Sequence, residues 1–504
     1  MPSYINQLPV LGLGFGYIGR KDLALFSGVI KENLVDYAEP YAGCLSIDSE
    51  ELFTQVPLNL DIVMHAERLS MASGEPVDRK RIMKHRQLGE KLNIHWTFED
   101  IATWHLDGCG PVGEPFWPPV LDEEALDLLI FRATSFSHAI GRPVLAEFPP
   151  LRIAFGTMSP PEFFRKLVDR TNIGIVLDIS HWQLYCESVG LNPKEAFLTF
   201  PMENVIELHI AGGRIIDGYY SEEHSGELLP ETIELLAYAC ELTPSLRAVT
   251  VECHGATRQI IESSIRKVAA LPQVIALRSR RTGKKAVGIE LNEVQILAAS
   301  EELEKPGPPL LQQRERLIRD LLQYPQILDG IFEGEYTSIS IEDMILIRRH
   351  SSKAWFKASR GFLRQFPKDR LSVRAQVAIL NGGYEDFGDF MQAIMRARPI
   401  SAGAPSPEEL LHLATNLPQL QEWARDVLAF ERDVVRLRKG MNPLEPYEKL
   451  RKDLWRVTYR RSITKTLQAI IDRNELPVAE KEDIWFCFNG EKLSVLNKQP
   501  SEKS

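Results

Sequence analysis

Asp178 and His181 in LDISH, His209 in ELHIAGG, Glu222 and His224 in EEH, and Glu252 and His254 in VTVECH set imidazoles and carboxylates at the ends of apolar runs within 77 residues. Nine of the eleven histidines precede residue 275. One such residue at a strand end is ordinary. Repeated at one face of a sheet, carboxylate oxygens and imidazole nitrogens are the donors that a polynuclear metal site requires. Glu147 in PVLAEF and Glu252 follow strongly apolar residues, where a carboxylate needs a partner to offset its desolvation. Few of the surrounding strand-end residues are Lys or Arg, so metal cations would supply the missing positive charge. An enzyme is the leading reading.

Such residues need a scaffold that aims them at one point. Eight short apolar, β-branched runs precede residue 255: 9–16, 34–41, 58–65, 92–100, 143–148, 173–179, 205–212 and 247–254. Between them lie segments with apolar residues at spacings of three and four, such as DRKRIMKHRQLGEKL and SPPEFFRKLVDRT, which predict helices. This alternation predicts an α/β fold, a (β/α)8 TIM barrel. In such a barrel function sits at the carboxyl ends of the strands, where Glu39, His65, Glu99 with Asp100, Glu147, Asp178, His209 and Glu252 fall. GFGYIG at 14–19 satisfies a dinucleotide-binding pattern, but in a barrel its glycines read better as a close approach of backbone near the mouth.

The net charge of -10 hides an asymmetry. Residues 1–274 hold 22 Lys/Arg against 37 Asp/Glu, and residues 275–504 hold 37 against 32. The basic RSRRTGKK (278–285) and EKPGPP (304–309) mark a linker over 276–309, giving a barrel domain at 1–275 and a second domain at 310–504. The second reads as mainly helical α+β, with helices extending through LEPYEKLRKDLWRVTYRRSITKTLQAIIDR and a closing hairpin at Asn489-Gly490. Six cysteines without CxxC spacing indicate neither a zinc ribbon nor a disulfide framework. Cys186 and Cys253 read as small core residues. The absence of a signal peptide and of a membrane-length apolar stretch predicts a cytoplasmic protein that meets no membrane. No aromatic stacking motif or recognition helix accompanies the basic stretches, so nucleic acid is not an expected partner.

An early Gly-rich strand, a histidine ending the third run, LDISH and LHIAGG, in this order and spacing over about residues 9–270, resemble the multinuclear non-haem iron enzymes of ribosomal peptide modification, the methanobactin-oxidase and thiaglutamate-pathway type. The resemblance implies a barrel holding two or three iron ions, with O2 as co-substrate and a cysteine of a precursor peptide as the modified residue. It implies metal ligation by His65, Asp100, Glu147, Asp178, His181, His209, Glu222, His224 and Glu252, with Ser180 the alternative to His181. This sequence departs from the family pattern where FED replaces SEH, EFPP replaces ENxS, EEH replaces DxH, and His254 replaces an Asp. The second domain, through NLPQLQEWARDVLAFERDVVRL and the terminal hairpin, resembles the small partner protein with which these enzymes recruit the peptide, here fused in one chain. The competing readings are a divalent-metal barrel of the xylose-isomerase-like or endonuclease type, which needs no O2, and a metal-free barrel acting as a binding scaffold.

Overall fold

The computed structural model describes residues 7–106, 116–151, 155–171, 173–216, 219–282, 286–289, 291–323, 371–384, 387–397, 406–439, 441–451, 454–459, 482–488 and 493–496, together with positions 463, 465, 466 and 469. The described residues divide into two compact units, one running to Ile318 and one from Arg319 onward. Among them, no helix is long and apolar enough to cross a membrane.

The first unit is a closed parallel barrel of β1 (Gly12–Tyr17), β2 (Tyr37–Pro40), β3 (Asp61–His65), β4 (Ile94–Asp100), β5 (Val144–Phe148), β6 (Ile175–Asp178), β7 (Val205–Ala211) and β10 (Ala248–Glu252). Each of the eight apolar runs contains one of these strands. An antiparallel ribbon, β8 (Gly213–Ile216) with β9 (Tyr219–Glu222), follows β7. Helices α1 (Arg79–Lys91), α2 (Glu123–Ile140), α3 (Pro160–Thr171), α4 (Ile179–Val189), α5 (Pro230–Leu242) and α6 (Arg258–Ala269) lie between or after the strands. Asp78, Asp122, Asp178 and Thr257 cap four of them by accepting backbone N–H bonds, which satisfies donors that have no partner within the helix.

Alternate residues of a strand face the barrel interior, so the strands stack their side chains in layers. The interior includes Tyr37, Trp96 and Phe98, all fully buried. Gly14 makes room for one of them: a Cβ there would come within 2.4 Å of the Tyr37 ring. Gly14 of GFGYIG thus serves packing inside the barrel, whereas a Cβ at Gly19, where φ is +72°, would meet open space.

Residues 276–309, expected as a linker, belong to this unit. Arg278 at the end of α7 (Pro272–Ser279) grips Asp36 through both oxygens, at 2.7 and 3.0 Å, and Arg281 bridges Asp36 and Asp61. Helix α8 (Glu293–Leu303) packs on α2. Arg278 and Arg281 of the basic run are therefore counterions for acids at the amino ends of β2 and β3, which composition alone does not reveal. Helix α9 (Pro309–Gln323) supplies Glu315, whose buried carboxylate accepts the Gly74 N–H in the loop after β3.

The second unit contains α10 (Val373–Gly382), α11 (Phe387–Arg396), α12 (Pro407–Ala414), α13 (Glu422–Arg438) and an antiparallel sheet in the order β11 (Tyr447–Arg451), β12 (Leu454–Tyr459), β13 (Glu482–Phe488), β14 (Leu493–Leu496). Residues 447–451 and 454–459, expected to be helical, are strands. Trp455, Val457 and Tyr459 are buried at every second position, and this period of two outweighs the helix-favouring Lys, Arg and Leu around it. Asn489 and Gly490 lie outside the described residues, and the strands on either side of them pair antiparallel.

Candidate metal centre

Sequence places the site's side chains through two local devices. The first is strand register. Asp100 pairs with Glu147 across β4 and β5, Asp178 with His209 across β6 and β7, and Gly16 lies between Glu39 and Glu252. Register partners point to the same side, which brings acids and imidazoles from six strands to one end of the barrel. The second is the LDISH turn. Asp178 closes β6 and caps α4 at once, its Oδ1 accepting the N–H groups of Ser180 and His181 at 2.5 and 2.9 Å. That leaves Oδ2 facing inward and puts His181 on the first turn of the helix.

Five overlapping groups of three residues have ligand atoms within 4.8 Å of one another: His65, Asp100 and Glu147; Glu147, Asp178 and His181; Asp178, Glu222 and Glu252; Glu39, His209 and Glu252; and His224, Glu252 and His254. Glu252 belongs to three of these groups, and Glu147 and Asp178 to two each. Carboxylates shared in this way suit bridging between neighbouring cations. Beneath the cluster Glu207 is held by Tyr37 Oη at 2.8 Å, Thr250 Oγ1 at 2.8 Å and Trp96 Nε1 at 2.7 Å, which fixes the floor under His209.

The donor atoms fit a group of cations. Glu39 Oε1, Asp100 Oδ1, Glu147 Oε2, Asp178 Oδ2 and both ring nitrogens of His209 are buried without a hydrogen-bond partner. His209 lies 3.3 Å from both Glu39 and Glu147, but these close approaches lack hydrogen-bond geometry. Buried polar atoms are seldom left in this condition. The imidazoles are also oriented for ligation. His65 Nδ1 is 2.7 Å from the Ala66 carbonyl and His181 Nδ1 is 2.8 Å from that of Phe148, so each ring donates there and turns Nε2 toward the acids. Histidine ligands commonly use one nitrogen for the metal and give the other N–H to an orienting acceptor.

Electrostatics point the same way. Among the described residues, no Lys or Arg lies within 4 Å of these carboxylates, and their ionic partners are imidazoles. Burial pushes Glu39 up to about 7 and Asp178 up to about 6 against the pull of His209 and His181. Burial and Glu147 together raise Asp100 well above the carboxylate range. Burial opposes ionisation of Glu147 as well, but His209 and His65 outweigh it and hold that carboxyl down to about 2. Burial likewise works against charge on His65, yet Glu147 and Asp100 prevail and raise it to about 10. The cluster thus borrows protons on its imidazoles to balance its acids, and cations would displace those protons.

All nine ligands that the resemblance implies lie in this cluster. Ser180 does not: its hydroxyl bonds the backbone of Ala211. Glu99 turns away, accepting the N–H groups of Leu69, Ser70 and Met71 and so fixing the loop after β3. The structure adds Glu39 and His254 to the donors. It also adds Tyr41, whose hydroxyl lies 3.3 Å from Glu252 and 3.2 Å from His254 and whose ring stacks on His65 with centroids 4.2 Å apart. Position at a strand end was a signal for Glu39, whereas nothing in the sequence distinguished Tyr41. Burial raises the thiols of Cys186 and Cys253 to about 12, which disfavours the thiolate form that metals take.

Residues 24–264 match the family described as RiPP precursor modification enzyme MbnB/TglH/ChrH, a family of enzymes that modify ribosomally made peptides. Through its barrel, the chain is similar to this family. Similar proteins include a UPF0276 protein of Anaeromyxobacter sp. (strain Fw109-5), 25% identical over 36% of this chain and 65% of its own length. Others are a UPF0276 protein of Bordetella pertussis, 27% identical over 30% and 52%, and one of Streptomyces avermitilis, 24% identical over 48% and 50%. The chain therefore spans about half to two thirds of the length of these relatives. Among solved structures, a xylose isomerase domain containing protein of Salmonella typhimurium aligns over 54% of this chain and 98% of its own, at 12% identity and a TM-score of 0.36. A xylose isomerase-like TIM barrel protein of Mycobacterium smegmatis, in complex with magnesium, aligns over 55% and 100% at 14% identity and the same TM-score.

Proposed function

We propose that the barrel holds two or three iron ions in this cluster and uses them with O2 to oxidise a residue, a cysteine, of a ribosomally made precursor peptide. The observation that carries this reading is the buried set of acids and imidazoles without Lys or Arg counterions, in a barrel of a peptide-modifying family. Carboxylates with imidazoles suit iron and open coordination positions better than structural zinc, which closes its shell with four ligands. Iron held there would supply one-electron chemistry with O2 and a positive charge for a substrate thiolate to meet.

The protein's own groups do the rest. His65 and His181 are held by backbone carbonyls, so their ligand atoms are oriented in advance. Glu99 pins residues 69–71, which keeps the loop beside His65 in one arrangement. Tyr41 donates its hydroxyl hydrogen to Glu252 Oε1 and lies beside His254 Nε2, so it steadies both donors at the mouth. Within the second unit, β11 and β14 are the outer strands of the sheet and offer edges to which an extended peptide could add. We read this unit as the recruiting module that replaces a separate partner protein. A photoreactive precursor peptide should then crosslink to 447–451 or 493–496 in the full chain, and labelling confined to barrel helices would count against that role.

Anaerobically purified protein should carry two or three irons with visible absorbance, and should consume O2 when given a cysteine-containing precursor peptide. His209→Ala or Glu252→Gln should lower the iron content and abolish turnover while the protein stays folded. A colourless protein loaded with zinc or manganese, or an iron-replete active variant, would overturn the assignment.

A further inference from the structure

We propose that Glu315 is a positioning residue for the seat formed by His65, Asp100 and Glu147, because it ties together the two loops that leave the first two of these donors. The inference rests on reading the cluster as a metal centre and adds what fixes one of its seats. Glu315 lies on α9, outside residues 24–264 that match the family. His65 ends β3 and Asp100 ends β4, so the loops starting at Ala66 and Ile101 continue directly from two ligand positions. The Glu315 side chain is almost fully buried, and both of its oxygens lie 3.0 Å from the Gly74 nitrogen in the first loop. Oε1 also accepts the Thr103 hydroxyl at 3.2 Å in the second. This approach needs a glycine: a Cβ on residue 74 would come within 2.4 Å of Gln312 Cγ and 3.1 Å of Glu315 Oε2.

The first loop needs such a hold. Arg68 and Ser70 adopt left-handed backbone, with φ of 60° and 52°, which residues with a side chain keep only where their surroundings impose it. Segment 303–315 supplies part of that constraint. It grips both sides of Gly74, taking its N–H with Glu315 and giving its carbonyl the Gly307 N–H at 2.8 Å. The Leu303 carbonyl accepts the Val77 N–H at 2.9 Å. Arg132, fully buried on α2, joins loop and segment, with Nη1 donating to the Ser70 and Ser73 carbonyls and Nη2 to that of Lys305 at 2.9 Å. Ser70 Oγ in turn accepts the Trp104 N–H at 3.0 Å, next to Thr103. Burial pushes the Glu315 carboxyl up to about 7 against the hydrogen bonds from Ser73, Gly74 and Thr103. An acid is thus kept at a costly position where its bonds to the two loops are the offset. Groups that orient ligands from behind matter to a metal nearly as much as the ligands do.

The test uses full-length metal-free protein, followed by amide hydrogen exchange and by anaerobic titration with Co(II). Glu315→Ala should speed exchange at 69–74 and 101–104 together. It should also weaken one cobalt equivalent about tenfold and shift its visible bands, leaving the other equivalents as they are. Glu315→Gln, which keeps an oxygen for the Gly74 N–H, should restore most of both. Thr103→Val cuts the tie on one side and should weaken the same equivalent by less; it also covers the case in which Glu315→Ala does not fold. Leu311→Ala removes buried packing from the same helix and leaves the carboxylate, so it should lower the urea midpoint at least as far without changing the cobalt titration. Unchanged cobalt binding in both Glu315→Ala and Thr103→Val, or equal weakening in Leu311→Ala, would overturn the inference and leave the metal centre standing. A wild type that takes up neither cobalt nor iron would instead remove the metal-centre reading, and the inference with it.

Discussion

At the amino end of the barrel Asp36 is almost fully buried and is gripped by Arg278 and Arg281, whereas at the carboxyl end Glu39, three residues on, is as deeply buried and meets only the Thr250 hydroxyl and the His209 ring. The lower acids are a finished arrangement. Asp36 also accepts the Leu13 N–H at 3.0 Å, and Asp61 is paired with both Arg281 and His95. The upper acids are balanced only by imidazoles and one another, with several oxygens left bare. One fold thus solves the problem of buried charge in two ways, with guanidinium groups where stability is the purpose and with an expected ligand where chemistry is.

The sharpest way to break this contrast is at the lower end. Arg278→Ala leaves Asp36 buried with half its counterions, and removing one partner of a buried pair costs roughly 3 to 5 kcal/mol. Arg278 is a quarter exposed and Arg281 remains, so we expect about 3 kcal/mol, the low end of that range, in urea unfolding of the metal-free protein. The variant should bind cations as the wild type does. Weakened cation binding would show that the two ends are coupled.

At the upper end a ligand should achieve what an arginine achieves below. A divalent ion at a hundredfold excess over its dissociation constant stabilises the folded state by about 2.7 kcal/mol per site. Adding Co(II) or Fe(II) to metal-free protein should therefore raise the unfolding midpoint, and a chelator should reverse it. Glu252→Gln should lose more of this gain than Asp100→Asn, because Glu252 belongs to three donor groups and Asp100 to one. Equal losses would deny Glu252 its bridging place.

The difference between the ends also explains what the sequence disclosed. A strand-end acid after an apolar run announces itself through local sequence, so eight strands and nine clustered donors were legible, with the family resemblance supplying Asp100 and Glu222 in their unusual forms. Arg278 meets Asp36 across 242 residues, and no local pattern records such a pairing, so a structural counterion was read as a boundary. His254 was visible as a strand-end imidazole but fell outside the ligand set that the resemblance implies, and its place depends on an empty side-chain position at Gly16 on another strand. Strands β11 and β12 were missed because short charged segments satisfy helix and strand preferences alike until burial on one face decides.

A subtler expectation concerns pH. A carboxyl that binds its proton more tightly when folded stabilises the protein at low pH, and this contribution is lost as pH rises from the unfolded value through the folded one. Asp178 passes through this interval from 3.8 to about 6 and Glu39 from 4.5 to about 7. His65, raised from 6.5 to about 10, likewise gives its full contribution below 6.5 and loses it above. Metal-free stability should therefore fall between about pH 4 and 10 on account of the upper end. Asp61 below has the opposite sign: His95 lowers it, so its contribution is present at neutral pH and lost on acidification. Asp178→Asn keeps an oxygen to cap α4 but removes a buried charge. The raised value of Asp178 is already net of its attraction to His181, and a tenfold change in proton affinity corresponds to about 1.4 kcal/mol, so the gain near neutral pH should be at least about 1 kcal/mol. Saturating cation should invert the comparison, since ions compete with protons for the same donors and bind more tightly as pH rises. If Asp178→Asn is no more stable than wild type without metal, the upper acids are not waiting for a ligand, and the contrast between the two ends of the barrel fails.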